Sequence, residues 1–141
     1  MVNTVIERNH VRVIGEGHQI IVMAHGFGCD QNMWQYITPY FKEQYKIVLF
    51  DYVGSGKSDM SAYDAEKYNS LHGYKQDLLE VIEALDLEQV IYFGHSVSSM
   101  IGLLAAIEQP QKFKQMIMIG PSPCYLNDEH YKGGFEKSDV E

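Results

Sequence analysis

Cysteine is scarce in this 141-residue chain: only Cys29 and Cys124 are present, which fits neither a disulfide framework nor a metal knuckle. Two free thiols in a cytoplasmic protein are expected, with no metal and no cofactor. Basic residues are also in deficit, 11 Lys and Arg against 19 Asp and Glu, for a net charge of −8. Such a surface repels phosphate backbones, so nucleic acid is not an expected partner. No apolar run reaches the roughly 18 residues that a membrane-spanning helix needs, and no membrane association is expected. The first residues, MVNTVIERNHVRV, lack the apolar stretch of a secretory leader. Repeats, low-complexity tracts and linkers are absent as well. What the chain does have is 45% hydrophobic residues, enough for one domain with a real core.

Strand-like and helix-like segments alternate along it. Gln19-Ile-Ile-Val-Met-Ala24 reads as a buried strand ending near Gly26, and Lys46–Phe50, Gln89–Phe93 and Gln115–Ile119 repeat that pattern. Val11–Ile14 is expected as an outer strand. Asp30 is placed to cap a helix carrying Met33, Ile37 and Phe41, with a bend or break at Pro39. From Ser70, the spacing of Leu71, Tyr74, Leu78, Ile82 and Leu85 predicts an amphipathic helix with a charged opposite face. Ser96–Ile107 is apolar on nearly all sides and reads as a buried helix. This alternation predicts an α/β fold with a mostly parallel sheet flanked by helices. Ligands of such sheets sit beyond the carboxyl ends of the strands, the edge at which the loops at His25, Asp51, His95 and Pro121 fall.

Three of these loops carry motifs. Gly94-His-Ser-Val-Ser98 lies between a strand and a helix, the context of a nucleophile elbow, where a sharp turn exposes a serine and demands small neighbours. Ser96 is the candidate nucleophile; Ser98 occupies the last position of the pattern Gly-x-Ser-x-Gly. His25-Gly-Phe-Gly28 follows the first long strand, where a serine hydrolase places one backbone donor for the tetrahedral oxyanion. The two donors are then the N–H groups of Phe27 and Val97, with a plain glycine turn braced by His25 as the alternative. Gly54-Ser-Gly-Lys-Ser58 imitates a phosphate-binding loop, but Asp51 stands where that motif has its first glycine, and a carboxylate would face the phosphates. Trp34 reads as a core or pocket-rim aromatic, and His95 as a brace for the elbow rather than a base.

Together these motifs resemble the α/β-hydrolase superfamily. Gly26-Phe-Gly-Cys-Asp-Gln31, Asp51-Tyr-Val-Gly-Ser-Gly56, Gly94-His-Ser-Val97 and Gly120-Pro-Ser-Pro-Cys-Tyr-Leu-Asn-Asp128 bring the resemblance closer. They are similar to the bacterial sigma-B stress regulators, relatives of the plant karrikin and strigolactone receptors. Ser98 departs from that family, which has glycine there. The resemblance implies a pocket over Ser96 for a small hydrophobic ester or lactone-like molecule, a role in stress regulation, and a PAS-domain phosphatase as partner.

A triad in this fold runs serine, then acid, then histidine. After Ser96 the one histidine is His130, in a polar segment to which the resemblance assigns the entry to a lid. No residue is therefore given the role of base or acid. The expectation is a truncated α/β-hydrolase fold: 1–120 the N-terminal part of the core, 121–141 the start of a lid, with the last strands missing. Such a chain is expected to be inactive by itself, with Met116–Ile119 as an uncovered edge. The alternative is a binding or signalling module that uses the same pocket without turnover.

Overall fold

The computed structural model describes residues 2–139; Met1, Val140 and Glu141, at the ends of the two expected segments, lie outside the described residues. Five strands form one sheet: β1 (Arg12–Ile14), β2 (Gln19–Ala24), β3 (Tyr45–Leu49), β4 (Val90–His95) and β5 (Phe113–Ile119). Their order is β1-β3-β2-β4-β5. β1 pairs antiparallel with β3, and every other pairing is parallel. All five expected strands are present, each within two residues of its expected ends.

β2 shows why. Its consecutive β-branched and apolar residues suit a strand covered on both sides, and alternate ones serve different cores. Val22 and Ala24 join Val48, Phe50, Leu78, Ile82, Tyr92 and Ile101 on one face. Ile21 and Met23 join Trp34, Ile47, Leu49 and Ile91 on the other. Burying each such large side chain is worth about 1.5–3 kcal/mol, so a one-residue slip of β2 would be strongly opposed. The first face is covered by α3 (Leu71–Ala84) and α4 (Val97–Glu108), with Val5 of α1 (Val2–Arg8) packed alongside.

Several expected helices differ in detail. The segment after Asp30 is a 3₁₀ turn, Gln31–Tyr36, followed by the short α2 (Thr38–Phe41). Asp30 caps it as expected, its carboxylate accepting from Asn32 N–H at 2.7 Å. Pro39 sits in the first turn of α2, where a missing N–H costs nothing, so the break falls at Ile37. α3 begins after Ser70 as expected, but Asp77 does not belong to a charged outer face. Its buried carboxylate accepts from Lys67 Nζ at 2.8 Å and Tyr68 OH at 3.0 Å, and it pairs with Arg8 at 3.2 Å. α4 is not buried all round. Ser98, Ile101, Gly102 and Ala105 face inward at helical spacing, while Leu103 and Ile107 are exposed. α1 was not foreseen.

Candidate active site

β2, β3, β4 and β5 are followed by the loops at His25, Asp51, Ser96 and Gly120, so these meet at the carboxyl edge of the sheet. Ser96 links β4 directly to α4 with φ 57° and ψ −125°, a conformation that costs a non-glycine residue about 1–3 kcal/mol. The surroundings enforce it. Ser96 N–H donates to Ile119 C=O at 2.8 Å, and Ser99 N–H donates to Ser96 C=O at 2.9 Å. Neighbouring glycines make the room: a Cβ at Gly94 would meet the Ser98 backbone at 2.7 Å, and one at Gly26 would overlap the His95 ring. Serine in place of the motif's last glycine does not disturb the turn, because the Ser98 side chain is buried in a polar contact of its own.

Phe27, Ser96 and Val97 line one cavity of about 200 Å³, together with Tyr125, Leu126 and Phe135. Val97 is the first residue of α4, so its N–H has no intrahelical acceptor. Among the described residues, neither it nor Phe27 N–H has a hydrogen-bond partner. The three residues singled out in the sequence are thus brought together, and the positive end of the α4 dipole lies beside them.

Tyr125, Leu126 and Phe135 were not singled out. Tyr125 and Leu126 fall in the Gly120–Asp128 motif and Phe135 in the polar stretch after it, and the structure folds the two back on one another. Asn127 N–H donates to Phe135 C=O at 2.7 Å and Phe135 N–H to Tyr125 C=O at 3.2 Å. The Asp128 carboxylate accepts from His130 and Tyr131 N–H, both at 2.7 Å. The available signal was large apolar or aromatic side chains, Tyr131 among them, inside an otherwise polar stretch.

His25 is a structural residue. Its Nδ1 donates to Gly26 C=O at 2.9 Å, and its Nε2 accepts from Tyr52 N–H at 3.1 Å; burial holds its pKa below the ordinary value. His95 lies against Gly26, with its buried Nδ1 unpartnered, in keeping with a brace. Trp34 is core, edge-on to Phe93. Asp51 accepts from Gln31 N–H and Lys57 N–H, both at 2.9 Å, so its carboxylate fills the cradle that a phosphate would need. Beside that loop lies an open cleft of about 410 Å³, in which Asp30 is already spent on its cap. Among the described residues, no histidine or carboxylate hydrogen-bonds the Ser96 hydroxyl, and no cluster of His, Cys, Asp or Glu could hold a metal. No helix among them is long and apolar enough to cross a membrane.

The chain is 44% identical over 139 residues to a strigolactone esterase of Arabidopsis thaliana, covering 99% of this chain and 52% of that protein. It is 45% identical over 131 residues to a karrikin insensitive 2 receptor of Petunia hybrida, covering 93% and 48%. Among solved structures, a hydrolase from Oleispira antarctica superposes with a TM-score of 0.90 at 43% identity, covering 99% of this chain and 51% of that one. The chain therefore spans about half the length of the curated relatives it matches. The alpha/beta hydrolase fold family matches residues 19–137, and the chain belongs to that family.

Proposed function

We propose that this chain carries the nucleophile half of an esterase-like serine hydrolase acting on a small hydrophobic ester or lactone. The carrying observation is the convergence of strained Ser96 with the unpaired N–H groups of Phe27 and Val97 on one apolar cavity. Ser96 Oγ attacks the acyl carbon, and the two N–H groups receive the developing oxyanion, the largest single contribution in many acyl transfers. About 200 Å³ suits a small substrate. The residues after Gly120 act as the beginning of a lid, with Tyr125, Leu126 and Phe135 as its inner lining.

Catalysis also needs a base to take the Ser96 proton and an acid to orient that base. In this reading both come from outside residues 1–141, and this polypeptide by itself turns over essentially no ester. In the full-length gene product, Ser96→Ala should lower kcat/KM for a p-nitrophenyl ester by at least about 10³-fold and abolish labelling by a fluorophosphonate. Turnover that survives the substitution sinks the reading.

A second reading is ligand sensing without turnover in the same cavity. Relatives named as receptors support it. Signalling retained by a Ser96→Ala variant of the full-length protein would favour sensing over chemistry. The motif resemblance further supports a place in sigma-B-type stress regulation, with a PAS-domain phosphatase as partner. Cys29 and Cys124, both unpaired, fit the reducing cytoplasm in which such a regulator works.

A further inference from the structure

We propose that Ser98 is a positioning residue that holds the two oxyanion donors in register, an inference that rests on the hydrolase reading of the same site. The donors come from separate segments, Phe27 from the loop after β2 and Val97 from the start of α4. The Ser98 hydroxyl, one residue beyond Val97, donates to the carbonyl of His25, two residues before Phe27. That bond joins the two segments close behind both donors. Glycine, the residue of the familiar pattern, has no group with which to make it.

The bond sits inside a closed network that excludes water. Ser98 and His25 are each at most 2% exposed, and Tyr52 4%. Tyr52 Oη lies 3.2 Å from Ser98 Oγ. The Ser98 hydroxyl donates to it as a second, longer acceptor beside the His25 carbonyl. Burial raises the Tyr52 pKa far above its ordinary value and keeps the phenol neutral. The backbone N–H of Tyr52 also grips His25 through Nε2. Tyr92 OH completes the arrangement by donating to Ser98 C=O at 2.8 Å. None of these four residues lines the cavity, so their effect on chemistry passes through the neighbouring residues that do, Phe27 and Val97 together with Ser96.

An oxyanion hole acts on the transition state rather than on bound substrate. In the full-length gene product, Ser98→Ala should therefore lower kcat for a p-nitrophenyl ester about 10- to 100-fold, normalised to the fluorophosphonate-labelled fraction, with KM unchanged. Affinity for a trifluoromethyl ketone, which mimics the tetrahedral species, should fall in the same proportion. Tyr52→Phe removes one buried oxygen and is the gentler second variant, should Ser98→Ala fail to fold; a several-fold fall in kcat at constant KM is expected. Normalised kcat unchanged in the folded variants, or a rise in KM alone, overturns the inference while Ser96-dependent turnover leaves the parent reading standing. Turnover that survives Ser96→Ala overturns both.

Discussion

Both ring nitrogens of His25 are spent on backbone, Nδ1 as donor to Gly26 and Nε2 as acceptor from Tyr52. Protonation of Nε2 would set one N–H against another in a site that is 2% exposed. Burial accordingly lowers the pKa of His25 from 6.5. The unfolded chain therefore binds a proton near pH 6.5 that the folded one refuses. The stabilisation is whole above that pH and is lost as pH falls through 6.5 toward the folded pKa, with a slope of at most about 1.4 kcal/mol per unit. Urea unfolding of the full-length protein at several pH values should show this slope, and His25→Gln should flatten it; parallel curves for the two proteins would rule it out. Asp51 is a different case at the same scale. Its identity alone argued against a phosphate loop. Its role, accepting two N–H groups from segments six and twenty residues away, depends on contacts that no local pattern reports.

α4 shows what one helix must satisfy at once. Its N-terminus carries the elbow, its inner face packs on β4, and at their contact Gly102 meets the buried ring of Tyr92. Alanine at 102 would gain about 0.5–1 kcal/mol from helix propensity, yet its methyl would overlap that ring. Tyr92 is fully buried and its hydroxyl is tied to Ser98 C=O, so the ring cannot swing away without breaking a hydrogen bond. Overlap should win: Gly102→Ala is expected to destabilise by about 1–3 kcal/mol net, read from urea midpoints, and a more stable variant would contradict this packing. Sequence reading found this helix, the strand before it and the sharp turn between them, because glycines and apolar periodicity are local signals. It missed that Leu103 and Ile107 stay exposed, since an all-round apolar pattern does not say which sides find a partner.

Across the whole molecule, the sheet order could be anticipated only in part. Glycine-bounded apolar runs announce parallel strands, whereas α1 docks through Arg8 onto Asp77 and Glu80, about seventy residues away, a pairing invisible in a helix with little apolar periodicity. Asn9, just after α1, then ties this end to the site: its side chain donates to Asp51 C=O at 3.0 Å, and its carbonyl accepts Asp51 N–H at 2.8 Å. The opposite flank is open. β5 lies at the edge of the sheet, with one side of its backbone unpaired among the described residues. Ile117 and Ile119 are 36% and 37% exposed and fall on the face that Trp34 covers only over the central strands. An unpaired edge beside exposed apolar side chains is a template for another chain. The 141-residue polypeptide, produced by itself, should therefore self-associate, with a sedimentation coefficient that rises with concentration. Ile117→Lys places a charge on that edge and should shift the population toward monomer. A wild-type polypeptide that stays monomeric throughout and unfolds reversibly in one sharp transition would mean that β5 is already protected.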